Sequence, residues 1–173
     1  MAIGSFAFPH HAESGAKGAA MAFTFRISDF PIGADIPEQF TCKGEDRSPA
    51  LEWSDAPAAA KSLALIVDDP DAPAGTWVHW VVFNIPARAH ALPGGVEKKE
   101  QLPDGTRQGR NDFGRVGYNG PCPPPGKSHR YFFKLYALDG ALGLAPGATK
   151  SDVERAMQGH VLAHAEWMGK FRR

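Results

Sequence analysis

Four apolar segments in the first 140 residues show the patterns of β-strands. Residues 23–28 alternate apolar and polar side chains, which is the two-residue period of a half-buried strand. Residues 62–67 form a short apolar run, and residues 76–85 and 130–138 are rich in β-branched and aromatic side chains. Pro, Gly and Asp separate these runs. Strands without helices between them favour antiparallel sheets that pack as a sandwich.

The C-terminal region changes period twice. Ser151 and Glu154 have the spacing of a capping box, and apolar residues follow at helical spacing, so the pattern predicts a short helix over about 150–159. Gly159 interrupts that pattern. Residues 161–171 then alternate apolar or small side chains with mostly polar ones, which predicts a final strand.

The length of 173 residues fits one domain. We expect a mainly β protein, a β-sandwich of two antiparallel sheets with short peripheral helices. Residues 1–20 are rich in Ala, Gly, Ser and His, and we interpret them as a loose N-terminal extension before a domain spanning 21–173. Met1 and Met21 both remain candidate start residues.

Charge and composition exclude several classes of protein. Nineteen Lys and Arg balance nineteen Asp and Glu, which argues against a nucleic-acid binder held by bulk positive charge. The sequence has no apolar run of about 18 residues that would predict a transmembrane helix. The N-terminal residues lack the pattern of a signal peptide, so we expect a cytoplasmic protein.

Two loops are unusually rich in residue types that form binding sites. Residues 68–75 contain three carboxylates within four positions, and like charges so close together need donors nearby. Residues 120–130 contain four prolines within five positions, which predicts a stiff wall. His79 follows the first loop and His129 follows the second. Asp-Pro turns and packed histidines are common separately, but together these features predict a binding site.

Residues 63–86 (LALIVDDPDAPAGTWVHWVVFNIP) and 117–139 (GYNGPCPPPGKSHRYFFKLYALD) resemble the two signature regions of the phosphatidylethanolamine-binding protein family. The resemblance is strongest to its bacterial, Raf kinase inhibitor-like branch, and residues 40–53 also fit. It implies a β-sandwich with a small surface pocket for phosphate-like anions. The pocket residues that it implies are Asp69, Asp71, Pro73, Trp77, His79, Pro124 and His129.

An anion site that contains aspartates needs a physical explanation. We expect the carboxylates to accept hydrogen bonds from loop amides and to orient the histidine rings, which then donate to the anion. We further expect Asp69 and Asp71 to raise the histidine pKa values. Arg130 should point to the opposite face of its strand from His129.

The resemblance also carries three expectations that the structure can test. The Ala72–Pro73 peptide bond could be cis. Cys42 and Cys122 would both lie near the pocket mouth, where they could be neighbours, and in the cytoplasm we expect them as reduced thiols. The chain ends in Phe171-Arg172-Arg173 without the C-terminal tyrosine of animal members, so we expect a more open pocket.

The function expected from these features is a non-enzymatic binding module for a small anionic or phosphorylated ligand. The resemblance adds a kinase or a protease as a candidate protein partner. The sequence leaves the oligomeric state open, with a homodimer among the alternatives. The sequence gives no reason to expect a cofactor, a metal site or a nucleic-acid partner. The alternative is an enzyme, an Asp- and His-dependent hydrolase of phosphoester or acyl bonds.

Overall fold

The computed structural model describes residues 22–173, so the predicted extension over 1–20 and the start residues Met1 and Met21 lie outside the described residues. The described chain contains eight strands, one 3-10 helix and one α-helix. The strands are β1 Thr24–Ile27, β2 Leu51–Ser54, β3 Ser62–Asp69, β4 Trp77–Pro86, β5 Ala91–Leu92, β6 Arg107–Gln108, β7 His129–Leu138 and β8 Val161–Phe171. The 3-10 helix spans Glu38–Phe40, and α1 spans Lys150–Met157.

The strands form two antiparallel sheets. One sheet has the order β1-β2-β5, and the other has the order β6-β4-β3-β7-β8. This arrangement confirms the mainly β fold that the sequence predicts. Strands β1, β3, β4, β7 and β8 lie where the patterns predict them, within one or two residues at each end, whereas β2, β5 and β6 were not predicted.

Helix α1 confirms the predicted element, but its cap differs from the prediction. The capping box is formed by Thr149 and Asp152, two residues before Ser151 and Glu154. The Thr149 hydroxyl accepts the backbone N–H of Asp152, while the Asp152 carboxylate accepts the backbone N–H of Thr149. Asp at this position does what Glu does in the usual motif.

The five-stranded sheet is covered on both faces. Odd-numbered side chains of β3, such as Leu63 and Leu65, face the core between the sheets. Even-numbered ones, Ala64 and Ile66, pack in a second cluster beneath α1 with Val153. All eight residues of β3 are therefore buried, which explains why its sequence reads as a continuous apolar run instead of an alternation.

The end of β3 places two adjacent carboxylates on opposite faces of the sheet. Asp68 continues the even-numbered face toward α1, and it is fully buried. Its carboxylate accepts hydrogen bonds from Lys134 of β7 at 2.9 and 3.0 Å and from Lys150 of α1 at 2.6 Å. This ion cluster ties the helix to the sheet and leaves Asp69 facing the other side.

We expect Asp68→Asn to lower the free energy of unfolding by about 3 kcal/mol, because it leaves two ammonium groups beside a buried neutral amide. Glu52→Gln is the matched control, since it removes an exposed ion pair with Arg26 at 2.7 Å and should cost less than about 1 kcal/mol. Urea denaturation followed by circular dichroism measures both. Equal effects of the two substitutions would contradict the anchoring role of Asp68.

Candidate functional site

The predicted site residues come from the ends of three neighbouring strands. Asp69 ends β3, Trp77 begins β4 and His129 begins β7. Because β3 pairs with both β4 and β7, these ends meet at one edge of the five-stranded sheet. The site therefore continues the core between the two sheets at the point where that core reaches solvent.

A cavity of about 300 Å³ lies at this edge. Six of the seven predicted site residues line it, and Asp71 does not. The lining consists of Asp69, Ala72, Pro73, Ala74, Trp77, His79, Phe113, Cys122, Pro123, Pro124, His129 and Tyr131. The sequence motifs thus converge in space even though their members lie up to 60 positions apart.

Asp71 lies outside the cavity lining because Arg130 binds it. Its carboxylate accepts the backbone N–H of Arg130 at 2.9 Å and two guanidinium N–H groups at 2.9 and 2.8 Å. These hydrogen bonds lower the pKa of Asp71 to about 2. Arg130 alternates with His129 and Tyr131 along β7, so its side chain turns away from the cavity as the sequence predicts.

Asp69 holds the ring of His129. One carboxylate oxygen accepts from His129 Nδ1 at 2.7 Å, and the other accepts the backbone N–H of Asp71 at 2.8 Å. Both side chains are buried. The carboxylate therefore orients the imidazole, and Nε2 of His129 is the ring nitrogen left for a ligand.

A β-bulge turns His79 toward the cavity. Val67 of β3 pairs with Trp80, but the next residue, Asp68, pairs with Val78, so His79 is the extra residue of β4. As a result Val78 and Trp80 pack in different clusters on opposite faces of the sheet. Simple alternation along β4 could not have predicted this orientation.

The backbone around Asn119 fixes the tautomer of His79. His79 Nδ1 lies 2.7 Å from the carbonyl oxygen of Asn119, which can only accept, so Nδ1 carries the hydrogen. The Asn119 N–H donates in turn to the His79 carbonyl at 3.1 Å. Asp46 accepts from the Asn119 side chain and from the Gly120 N–H, which holds this loop in place.

Burial gives His79 a pKa opposite to the one expected. Desolvation lowers the pKa of His79 from its ordinary value of 6.5, and it outweighs the hydrogen bond to Asn119 and the nearby charge of Asp69, which act the other way. The expected rise is therefore wrong for this residue. The imidazole stands edge-on to the rings of Phe113 and Tyr131, at centroid distances of 5.3 and 5.2 Å, which accounts for the loss of water.

Sequence reasoning missed two lining residues, Tyr131 and Phe113. Tyr131 is 1% exposed, and its hydroxyl has no hydrogen-bond partner within the described chain. Burial, the negative charge of Asp69 and the approach of the hydroxyl to that carboxylate, which falls short of a well-formed hydrogen bond, raise the pKa of Tyr131. Its position two residues after His129 on β7 could have identified it, because residues i and i+2 of a strand share a face.

No sequence pattern identifies Phe113 as a lining residue. It lies in the loop before Gly120, is 37% exposed and contacts Trp77 edge-on at 5.6 Å. Its backbone N–H donates to the Asn111 side chain, which also binds the Gly117 carbonyl and the Asn119 side chain. The loop that brings Phe113 to the cavity is thus organised by Asn111.

Two expectations about the loops are wrong. Every peptide bond within residues 22–173 is trans, including Ala72–Pro73. Cys42 and Cys122 are indeed neighbours, but they form a disulfide with Cα atoms 5.4 Å apart instead of two reduced thiols. The Cys42 N–H donates to the Pro121 carbonyl, and this bond brings the two loops into register for the disulfide.

A larger depression of about 550 Å³ lies elsewhere, lined by residues that include Lys61, Asp139 and His160. Its imidazole and carboxylate are paired with each other at 2.8 Å, and both are about half exposed. Water can solvate these groups without any ligand. The smaller cavity is the better candidate because its polar groups are buried and one of them is unpartnered.

Two other functional features are absent from residues 22–173. This part of the chain has no group of three or more His, Cys, Asp or Glu side chains placed to hold a metal ion. It also has no helix that is long and apolar enough to cross a lipid bilayer.

Comparison with known proteins gives consistent results. A sequence model described as phosphatidylethanolamine-binding protein matches residues 26–172. The chain is 57% identical over 138 residues to a UPF0098 protein of the archaeon Methanothermobacter thermautotrophicus, covering 80% of this chain and 91% of that one. It is 49% identical over 160 residues to a UPF0098 protein of Aquifex aeolicus, covering 90% and 91%. The relatives therefore span archaea as well as bacteria.

Two solved structures share the fold. One is a phosphatidylethanolamine-binding protein homologue, CT736 of Chlamydia trachomatis, with a TM-score of 0.80 and 40% identity over 88% of this chain and 98% of that chain. The other is YbcL of E. coli, described as a member of the mammalian PEBP family, with a TM-score of 0.82 and 34% identity over 88% and 99%.

The disulfide predicts that thiol titration of the unreduced protein finds no free cysteine, either native or denatured. Reduction, or the double substitution of Cys42 and Cys122 by serine, should lower the free energy of unfolding by about 2–4 kcal/mol, since the bond closes a long loop. Ellman titration and thermal denaturation measure these effects. Two reactive thiols in the denatured, unreduced protein would contradict the bond.

The lowered pKa of His79 predicts a pH dependence of stability in the absence of ligand. Below about pH 6.5 the unfolded chain binds a proton at His79 that the folded protein excludes, so the free energy of unfolding should fall toward acid. The slope is at most about 1.4 kcal/mol per pH unit. His79→Gln should flatten this part of the profile in urea titrations from pH 7.5 to about 5. An unchanged profile would contradict the neutral buried ring.

Proposed function

The chain belongs to the phosphatidylethanolamine-binding protein family, and on that premise we propose that it is a non-enzymatic binding module whose cavity takes a small phosphate-like anion. The proposal rests chiefly on the hydroxyl of Tyr131. This group is buried against the cavity and has no hydrogen-bond partner within residues 22–173. An unpaired buried hydroxyl costs about 1–3 kcal/mol, which a bound oxygen atom would recover.

The two imidazoles support the same ligand. Each uses Nδ1 on the protein, His79 on a carbonyl and His129 on a carboxylate. Each therefore has Nε2 available for a ligand beside the Tyr131 hydroxyl. Besides Asp69, whose carboxylate oxygens are hydrogen-bonded within the protein, three polar side-chain atoms lie in a largely apolar cavity of about 300 Å³, and they match a tetrahedral oxyanion better than an extended chain.

The aspartates do not oppose an anion at this site. Asp71 is neutralised by Arg130, and it lies outside the lining. The Asp69 carboxylate accepts hydrogen bonds from His129 and from a backbone amide. Of the carboxylates in the acidic loop, Asp69 alone lines the cavity, and both of its oxygens are occupied.

The lining favours binding over hydrolysis. It contains no Ser, Thr or free thiol, because Cys122 is in the disulfide. The Tyr131 hydroxyl has a raised pKa, which makes it a poor nucleophile at neutral pH. The hydrolase alternative would have to use a water molecule activated by His79 or by the Asp69–His129 pair.

The proposal also includes a protein partner, a kinase or a protease, and a cytoplasmic location. A kinase or protease partner would approach the cavity mouth, where Phe113 is 37% exposed. A cytoplasmic location requires that the Cys42–Cys122 bond withstand cellular thiols, because disulfides persist chiefly in oxidising compartments. Trapping of free thiols at the moment of cell lysis tests that requirement.

Two tyrosines provide a matched test of the binding proposal. Tyr131→Phe should weaken binding of inorganic phosphate about five- to thirtyfold in calorimetric titration, since one hydrogen bond to an anion is lost. It should leave stability unchanged or raised, because the hydroxyl has no partner to lose. Tyr118→Phe should leave phosphate binding unchanged and lower the stability. The reason is that the Tyr118 hydroxyl donates to the Phe40 carbonyl at 2.7 Å and lies outside the cavity lining.

Absence of phosphate binding to the wild-type protein, or equal affinity of Tyr131→Phe and wild type, would refute the proposed role of this cavity. Turnover assays with a phosphomonoester and an acyl ester address the alternative. Turnover that is lost in His79→Gln and retained in Tyr118→Phe would favour the hydrolase.

A further inference from the structure

The two histidines of the cavity have different hydrogen-bond partners. The His129 ring faces the Asp69 carboxylate, which accepts the hydrogen on its Nδ1. The His79 ring faces a neutral carbonyl and is enclosed by Phe113 and Tyr131. Its Nδ1 carries the hydrogen, so Nε2 of the neutral ring is a lone pair that accepts.

The groups around His79 do not supply a donor for that lone pair. Asp69, His129 and Tyr131 line the same cavity, but the only ring nitrogen with a defined hydrogen bond in the described chain is Nδ1. The Gly120 backbone also approaches the ring and acts to raise its pKa, so it offers a carbonyl acceptor and no donor. Asp46 also influences the ring, but it is a carboxylate that lies behind the Asn119 loop. The two aspartates can only accept hydrogen bonds when ionised. His129 and Tyr131 would direct any hydrogen that they donate to a bound anion.

The charges of the lining lead to the same conclusion. Asp69 contributes one negative charge, His129 contributes at most one positive charge, and His79 is neutral. Outside the lining, the Arg130 guanidinium binds Asp71 and that of Arg173 contacts Cys122 Sγ, while Arg115 lines an adjoining depression that shares Phe113 and Cys122 with the cavity. The lining itself therefore has no net positive charge with which to stabilise a dianion.

From this arrangement we infer that the cavity selects oxyanions that carry a proton: the monoanion of a phosphate monoester, whose P–OH donates to His79 Nε2, is preferred over fully ionised oxyanions of the same shape. This inference rests on the proposed function and names the protonation state of its ligand. Tyr131 Oη donates to the unprotonated oxygens, and His129 Nε2 does so when both ring nitrogens carry a hydrogen. An acceptor placed among donors discriminates well, because an ionised oxygen facing it would leave both lone pairs unsatisfied.

Methyl phosphate and methyl sulfate form a matched pair of probes. Near pH 5.5 both are predominantly monoanions of similar size, because the second pKa of a phosphate monoester is about 6. Only methyl phosphate then has an O–H. Calorimetric titration of the wild-type protein should give at least a tenfold higher affinity for methyl phosphate, the factor expected when one buried acceptor is left unsatisfied. The affinity for methyl phosphate should fall as pH rises to 8, where its dianion predominates.

His79→Phe removes the acceptor and should bring the ratio of the two affinities close to one. This ratio is insensitive to a general loss of folded protein, and the comparison in the wild type needs no variant. Equal affinities of the wild type for both probes, or an affinity for methyl phosphate that rises with pH, would overturn the selectivity and leave the anion site standing. Absence of binding by both probes would overturn the selectivity together with the proposed function.

Discussion

Repulsion among three carboxylates within residues 68–71 is the constraint on which this site depends. The repulsion is relieved because each carboxylate has a different cationic or polar partner, which approaches from a different direction. Asp68 points through the sheet to two lysines, Asp69 binds His129, and Asp71 binds Arg130. Alternation along β3 separates the first two, and the loop separates the third.

These pairings also build the cavity. Because Asp68 anchors α1 on one face, Asp69 must lie on the other face, where it continues the core between the sheets. His129 and Tyr131 share that face of β7. The pairing of Asp71 with Arg130 holds the loop that contains Pro73 against the start of β7, so an electrostatic requirement becomes a wall of the cavity.

The cavity consequently offers a ligand neutral hydrogen-bonding groups more than it offers net charge. Burial keeps His79 neutral, and the Asn119 carbonyl fixes its tautomer. The Tyr131 hydroxyl is buried without a partner in the described chain. A ligand for such a cavity must supply oxygens in some directions and a donor in another, which is a narrower condition than negative charge alone.

The sequence by itself determined five of the eight described strands, the final helix and the two loops that line the cavity, because these features follow from local periodicity and from the backbone limits of Pro and Gly. The short strands β2, β5 and β6 were not among them. It also determined that Arg130 lies away from His129, since neighbours on a strand face opposite ways. Tertiary structure alone decided the bulge at His79, the partner of Asp71 and the Cys42–Cys122 bond. Each of these depends on contact with another segment of the chain, which for Asp71 and the cysteines lies about 60 or more residues away. The sign of the His79 pKa shift was decided in the same way, because desolvation by Phe113 and Tyr131 exists only once β4, β7 and the Asn111 loop have come together.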